Sequence, residues 1–235
     1  MRIIRDRLDR YRSDLTDRAV LDAIGPVDGL TVLDAGCGEG YLSRIIAQHG
    51  ADAIGVDACA DLIKSAQELA TEAGLPINYY AGPVDDLPIR DGQCDIVVCN
   101  HLINDLQDIA APFREFARVT RGGNLVILML HPCFYGVHTE RSNQHRYHTP
   151  DEYFRLLTIE QEFKVAGITS PAKVTMWFRP LEDYVSQLHE SGFYITSFRE
   201  PHPSADQLAE DPWWRDNFVR PLFMLIVAKK GDIAH

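Results

Sequence analysis

A glycine-rich turn that follows a short apolar segment constrains the fold of this chain more than any other feature. Residues 30–40 read LTVLDAGCGEG, and an amphipathic helical pattern begins at Tyr41. Glycine permits a tight turn and a close approach of the backbone to a ligand where a Cβ would clash. The segment therefore predicts a buried strand, a turn and a helix, with the turn placed against a ligand.

An acidic residue, Asp57, lies 17 positions after Gly40, the last of these glycines. Asp57 ends the apolar segment AIGVD at residues 53–57. A carboxylate at the carboxyl end of a second parallel strand can accept hydrogen bonds from both hydroxyls of a ribose. The spacing therefore predicts a nucleoside-binding site.

Two residues distinguish between nucleoside cofactors. The dinucleotide fingerprint has a third glycine where this chain has Tyr41. Asp34 places a carboxylate where a NAD enzyme receives an anionic pyrophosphate. S-adenosylmethionine carries an ammonium and a sulfonium but no phosphate, so Asp34 attracts it. The residues favour S-adenosylmethionine, and the simpler alternative is a structural turn without a ligand.

Over roughly residues 28–130 the chain resembles the class I S-adenosylmethionine-dependent methyltransferases. Residues 78–99 are similar to the third and fourth strands of that family and the loop between them. Residues 177–193 and 220–230 are similar to the late helix and closing strand of its small-molecule members. The resemblance implies an α/β, doubly wound fold with a seven-stranded, mostly parallel sheet in the order 3-2-1-4-5-7-6, whose last strand is antiparallel.

The resemblance also implies a set of cofactor-binding residues. Many members have an acidic residue after the glycine that follows the third strand, where this chain has Pro83. Asp85, Asp86 or the Val84 backbone is therefore expected to hold the adenine. The predicted cofactor-binding residues are Asp34, Gly36, Cys37, Gly38, Gly40, Asp57, Ala58, Val84, Asp85 and Asn100.

Alternating apolar segments predict one α/β domain that spans residues 1–235. A chain of 235 residues with 46% hydrophobic residues can bury a full core. The predicted strands cover residues 30–34, 53–57, 77–81, 94–99, 124–130, 194–199 and 222–230. The predicted helices cover residues 3–23, 41–49, 59–73, 108–119 and 181–190.

Arginine and aspartate residues alternate at helical spacings between Arg2 and Arg18. This pattern is typical of a solvated helix face. The alternative is that residues 1–24 form a helical cover over the cofactor, with Tyr11 or Tyr41 touching the ligand.

The formal net charge of −11 disfavours a nucleic-acid substrate, because phosphate binding depends on Lys and Arg. No apolar run reaches membrane-spanning length, so no membrane partner is expected. Five cysteines without a Cys-x-x-Cys pair indicate reduced thiols. We expect a cytoplasmic protein, a monomer or homodimer, that acts on a small-molecule acceptor such as a specialised metabolite.

Residues 131–179 interrupt the alternation of strands and helices. The connection is longer than such folds need, and long connections often form lids or binding loops. It starts at the carboxyl end of a central strand, where ligands bind in open α/β sheets. We therefore predict a substrate lid with a mobile tip at residues 139–148. The predicted acceptor-binding residues are Phe134, Tyr135, Tyr153, Trp177 and Arg179.

Methyl transfer to oxygen or nitrogen is a direct displacement, so the protein mainly aligns the acceptor and excludes water. A hydroxyl acceptor also needs a base, whereas an amine needs none. His101 and His131 follow the fourth and fifth strands and can accept a proton near neutral pH. His131 is preferred because it opens the lid, although either histidine has an ordinary role as a hydrogen-bonded residue at a strand end.

We expect no metal ion. His145 and His148 lie three residues apart with His131 and His138 upstream, but no cysteine or acidic residue completes a familiar ligand spacing. Asp105 and Asp108 could contribute to a magnesium site, but helix capping by Asp108 is the simpler explanation.

Two other functions remain open. One is an enzyme that uses the same cofactor for different chemistry, such as cyclisation. The other is a non-catalytic subunit that binds the cofactor and stabilises or regulates a partner.

Overall fold

The structure is a computed structural model that describes residues 9–134, 153–162, 164–165, 168–169 and 172–231. Its strands are β1 (Thr31–Ala35), β2 (Asp52–Asp57), β3 (Asn78–Ala81), β4 (Cys94–Asn100), β5 (Thr120–Leu130), β6 (Leu157–Gln161), β7 (Lys164–Val165), β8 (Ile168–Thr169), β9 (Val174–Phe178), β10 (Phe193–Arg199) and β11 (Phe223–Lys230). Its α-helices are α1 (Asp17–Ile24), α2 (Tyr41–Gln48), α3 (Ala60–Glu72), α4 (Ala110–Val119), α5 (Leu181–Glu190), α6 (Ala205–Glu210) and α7 (Pro212–Asn217).

Seven strands form one sheet in the order β3-β2-β1-β4-β5-β11-β10. The first five strands are parallel to one another, and β11 is antiparallel to both β5 and β10. Counted along the chain within this sheet, the order is 3-2-1-4-5-7-6 with an antiparallel last strand. The predicted fold class and strand order are therefore confirmed.

The central strands are apolar on both faces, as parallel strands covered by helices on both sides must be. On one face, Leu33 and Val97 pack with Phe113 of α4 and Leu188 of α5. On the other face, side chains of β1, β4, β5 and β11 pack with α1, α2 and Trp214 of α7. Parallel β1, β2 and β4 point their carboxyl ends to the same edge of the sheet, which places the residues after them side by side.

The chain before β1 differs from the predicted helix over residues 3–23. Residues 1–8 lie outside the described part of the chain. The described part contains a π-helical turn at Arg12–Thr16 that continues into α1. Such turns change the direction in which side chains leave a helix and are frequent at functional sites.

Two short helices were not predicted. α6 begins with a capping box, in which the Ser204 hydroxyl accepts from the Gln207 N–H and the Gln207 side chain accepts from the Ser204 N–H. α7 begins with Asp211 as N-cap and Pro212 in its first turn. Each helix has six residues, too few to show a periodic apolar pattern.

The segment predicted as a lid is anchored in the core. β6 and β9 pair as an antiparallel two-stranded sheet, and Ile159, Met176 and Phe178 are buried against one face of the main sheet. The predicted mobile tip at residues 139–148 lies outside the described residues, and the lid itself stays a prediction. None of the described helices is long and apolar enough to span a membrane.

Candidate active site

The glycine turn joins β1 to α2 with three left-handed residues. Gly36, Gly38 and Gly40 have φ values of +73°, +57° and +75°, a region that side chains with a Cβ rarely adopt. A Cβ on Gly36 would lie 2.8 Å from the Leu102 side chain, and one on Gly40 would overlap the Tyr79 hydroxyl. A Cβ on Gly38 would meet no atom of the described residues within 4 Å, apart from its own neighbours in the chain. The turn is packed at both ends and open in the middle.

Asp57 at the end of β2 fastens this turn. One carboxylate oxygen accepts from the Gly38 N–H at 2.9 Å, and the other accepts from the Cys59 N–H at 2.8 Å. A carboxylate offers about four acceptor positions, so both oxygens retain capacity for ribose hydroxyls. Asp57 therefore has a structural role that its spacing in the sequence did not reveal.

Asp34 is buried behind the turn, with 2% of its surface exposed. The Ser43 hydroxyl donates to its carboxylate at 2.6 Å. Burial raises the pKa of Asp34 to about 6, although the Ser43 hydrogen bond and the Arg12 charge oppose the shift. Asp34 is thus a carboxylate whose charge is incompletely balanced by the protein.

Asp105 lies in a 3₁₀ turn at Ile103–Asp105, directly beyond β4. Its side chain reaches solvent, but the surrounding protein raises its pKa to about 6, and the charge of Asp57 adds to the shift. The Asp57 charge also raises the pKa of Asp34. We call Asp34, Asp57 and Asp105 the acidic crevice, and a cation bound there would relieve their repulsion.

The remaining predicted cofactor residues surround the same strand ends. Cys37 is buried, and burial raises the pKa of its thiol, so it is not a reactive thiolate. Val84 turns its side chain into the core, whereas Ala58 and Asp85 are exposed. Asn100 ends β4, and its side-chain oxygen is buried without a hydrogen-bond donor among the described residues.

His101 follows Asn100 with a φ of +61°, the single positive φ among the described non-glycine residues. Its N–H donates to the Leu128 carbonyl at 2.8 Å, and its ring packs edge-on against Phe223. Burial lowers its pKa to about 4, with a smaller contribution from Arg12. The imidazole is therefore neutral at pH 7 and weakly basic.

His131 follows β5 and is 2% exposed. Its Nε2 lies 3.1 Å from a Glu200 carboxylate oxygen, and its Nδ1 accepts from the Cys133 N–H at 3.2 Å. This arrangement assigns the ring proton to Nε2, as a donor to Glu200. Burial lowers the pKa of His131, whereas Glu200 raises it, and the net shift is downward. Sequence reasoning missed Glu200.

Those residues predicted to bind the methyl acceptor that the structure describes lie near His131 and near the turn after β4. Phe134 packs against the His131 ring at 4.7 Å, and the Tyr153 hydroxyl accepts from the Leu181 N–H at 3.1 Å. Trp177 is half-buried in β9, which packs on the turn at Ile103–Asp105. Tyr135 lies outside the described residues.

Arg179 follows β9 and is 8% exposed. Its Nη2 donates to the carbonyl oxygens of Leu106, at 2.8 Å, and Gln107. Its backbone N–H donates to the Tyr184 hydroxyl at 3.3 Å. Its Nη1 has no acceptor among the described residues.

The N-terminal π-helical turn reaches the same region. The Arg12 guanidinium stacks 4.5 Å from the centre of the Tyr41 ring, and Arg12 Nε lies 3.6 Å from an Asp17 oxygen. The Tyr41 hydroxyl donates to Asp17 at 2.8 Å. The charge of Arg12 affects Asp34, so this segment lies beside the glycine turn. That residues 1–24 cover the cofactor stays a prediction.

Within the described ranges, no three His, Cys, Asp or Glu side chains are grouped to hold a metal ion. The Asp108 carboxylate accepts from the Ala110 N–H at 3.0 Å and so caps the start of α4. His138, His145 and His148 lie outside the described residues.

Comparison with known proteins identifies the family. Residues 33–128 match the family described as a methyltransferase domain. The ubiquinone biosynthesis O-methyltransferase of Bordetella avium is 35% identical over 108 residues, which cover 46% of this chain and 45% of that protein. Residues 33–128 therefore belong to the methyltransferase-domain family. The predicted family resemblance is confirmed over this part of the chain.

Two further comparisons show how far the similarity extends along the chain. Ajmaline N-methyltransferase of Rauvolfia serpentina is 31% identical over 160 residues, covering 67% of this chain and 50% of that protein. An S-adenosylmethionine-dependent methyltransferase structure from Mesorhizobium loti has a TM-score of 0.68 at 22% identity, covering 90% of this chain and 96% of that one. The chain spans about half the length of both named curated relatives, and the structural likeness shows the fold.

Proposed function

We propose that this chain is an S-adenosylmethionine-dependent methyltransferase that moves a methyl group to an oxygen or nitrogen of a small molecule. The observation that carries the proposal is the open position at Gly38 beside the Asp57 carboxylate of the acidic crevice. A cationic nucleoside fits this position, whereas a pyrophosphate would meet like charge. Relatives named as O- and N-methyltransferases support the same chemistry.

The residues present fit the cofactor. Asp57 would hold the ribose, and Asp34 and Asp105 would balance the cationic end. The unused Asn100 oxygen offers an acceptor for a donor group, and the Val84 backbone with Asp85 would hold the adenine. S-adenosylmethionine, when bound, supplies the methyl group and a sulfonium leaving group.

His131 and Glu200 would supply a base for a hydroxyl acceptor. Glu200 accepts the Nε2 proton and so fixes the tautomer in which Nδ1 carries the basic lone pair. The lone pair of Nδ1 now receives a long hydrogen bond from the Cys133 N–H, which an acceptor hydroxyl would replace. Since the lowered pKa keeps His131 neutral at pH 7, it can take the proton of a hydroxyl group.

His101 is the weaker candidate for the base. Its pKa of about 4 makes it a poor proton acceptor at neutral pH. Its left-handed backbone at the end of β4 instead suits a role in shaping the wall of the cofactor site. We therefore assign the proton transfer to His131 and a positioning role to His101.

Product analysis tests the proposal. The purified chain is incubated with S-adenosylmethionine and a panel of small phenols and amines, and mass spectrometry follows methylated products and S-adenosylhomocysteine. We expect a product heavier by one methylene unit, with one S-adenosylhomocysteine formed for each. A product without an added methyl group would favour different chemistry. Tight cofactor binding without turnover across the panel would favour a non-catalytic subunit.

A further inference from the structure

Arg179 is a buried cation with an unused donor. Its side chain is nine-tenths buried, and Nη1 donates to nothing in the described part of the chain. No aspartate or glutamate oxygen of the described residues lies within 4.0 Å of the guanidinium. Buried charges in proteins are normally paired, because an unpaired one forfeits its hydration without compensation. This cation therefore lacks an anion.

The position of Arg179 relates it to the candidate active site. Its Nη2 is held by the carbonyl oxygens of Leu106 and Gln107, which directly follow the turn at Ile103–Asp105. That turn extends from β4 and carries Asp105 of the acidic crevice, and β9 packs on it. The guanidinium thus lies beyond the cofactor carboxylates, on the side where β9 covers the strand ends.

Asn104 offers a second unused donor in the same turn. It is 2% exposed, and its side-chain oxygen accepts from the Leu130 N–H at 2.8 Å. Its Nδ2 is buried without an acceptor among the described residues. The Arg179 side chain is therefore fixed by two backbone carbonyl groups and that of Asn104 by one backbone N–H, and each keeps a free donor.

Two unused donors and a positive charge call for an anionic ligand. A guanidinium matches the geometry of a carboxylate. A phosphate dianion would leave one charge unbalanced beside a single arginine in a chain of net charge −11. A carboxylate monoanion satisfies the charge and both donors.

We propose that Arg179 and Asn104 form a carboxylate-binding subsite, and that the methyl acceptor is a small organic acid held through its carboxylate. The inference rests on the proposed function, which it extends by naming the substrate class. The acidic group would be held on the β9 side, while the hydroxyl or amine to be methylated faces the cofactor.

Calorimetry on the full chain saturated with S-adenosylhomocysteine tests the subsite. The probes are benzoate, 4-hydroxybenzoate and 3-hydroxypropionate, each paired with its primary amide, together with inorganic phosphate. We expect at least one acid to bind about tenfold or more tightly than its amide. Arg179→Met should remove this preference, whereas Arg199→Met, which removes an exposed arginine, should retain it.

Asn104→Asp provides a second variant that keeps the acceptor for the Leu130 N–H and loses the free donor. It should lose acid binding, because the new carboxylate would repel the acid and pair with the free Arg179 donor. That pairing should keep the variant folded, so the test survives if Arg179→Met fails to fold. Equal binding of acids and amides, no binding of any acid, or tighter binding of phosphate would overturn the subsite. Methylation of neutral acceptors in that case would leave the proposed function standing, and absence of S-adenosylhomocysteine binding would remove it.

Discussion

The imidazole of His131 and the carboxylate of Glu200 meet at 3.1 Å across the end of β11. His131 follows β5 and Glu200 follows β10, two strands that β11 separates in the sheet. Glu200 is partly exposed while His131 is buried, so the carboxylate extends from the surface to a base inside the protein. The pair has the geometry of a base and the group that orients it.

This pair predicts a specific kinetic effect. His131→Ala should lower turnover of a hydroxyl acceptor by roughly a hundredfold with little change in cofactor affinity. Glu200→Gln should cost roughly tenfold to a hundredfold and shift the acidic limb of the kcat/KM profile to lower pH, because Glu200 raises the pKa of His131. Glu190→Gln, at an exposed position of α5, is the control. An unmoved acidic limb would mean that Glu200 does not act through His131.

Asp57 should be required for cofactor binding. Asp57→Ala is expected to cost roughly 2 to 4 kcal/mol of S-adenosylmethionine affinity, because two ribose hydroxyls lose a charged acceptor. It should also lower the unfolding temperature, since the Gly38 and Cys59 N–H groups lose their partner. Calorimetry and thermal unfolding measure the two effects, with Asp61→Ala as an exposed control. Unchanged binding would exclude Asp57 from the site.

Cofactor affinity should depend on pH near 6. Asp34 and Asp105 both have a pKa of about 6 without ligand, so below that pH they are increasingly neutral. S-adenosylmethionine binding should therefore weaken as the pH falls from 7 to 5. S-adenosylhomocysteine has no sulfonium charge and should weaken less. Parallel titrations of the two ligands by calorimetry check this, and identical pH profiles would contradict it.

Replacement of Asp34 should change the stability of the protein and its affinity for the cofactor in opposite directions. The folded-state pKa of about 6 exceeds the ordinary 3.8. Ionisation of Asp34 therefore does not destabilise the folded state below pH 3.8. The destabilisation grows between pH 3.8 and pH 6 and amounts to roughly 3 kcal/mol above pH 6. Asp34→Asn should raise the free energy of unfolding of the ligand-free protein at pH 7.5 and weaken S-adenosylmethionine binding. Denaturant unfolding at pH 4 should show a smaller gain than at pH 7.5.

Methyl transfer is expected to proceed without a divalent metal. The described residues present no group of three metal-binding side chains. Turnover measured after exhaustive chelation should match the untreated enzyme, with a known magnesium-dependent enzyme as the chelation control. Loss of turnover that magnesium restores would redirect attention to Asp105 and Asp108.

The sheet and the cofactor strands were predictable because their signals are local. The apolar runs of β1, β2 and β4, the glycine turn and the spacing to Asp57 depend on residues close in sequence. The order of the strands came from the family resemblance. The local sequence signals and the family resemblance both describe the path of the backbone.

The contacts between distant segments were not predictable. β6 and β9 pair across an intervening stretch, and Glu200, which follows β10, meets His131, which follows β5. The unused donor of Arg179 depends on which carbonyl groups its other nitrogen reaches. Periodicity carries no information about such partners, since they arise from packing.

Tyr79 links the glycine turn to the edge of the sheet. Its hydroxyl and ring occupy the space that a Cβ on Gly40 or Gly55 would need. Tyr79 belongs to β3, which pairs with β2 alone in the sheet. The turn therefore keeps its shape only while the edge strand is docked, so cofactor binding reports whether β3 is in place. Glycine is thus required at position 40 both by its positive φ and by a side chain 39 residues away.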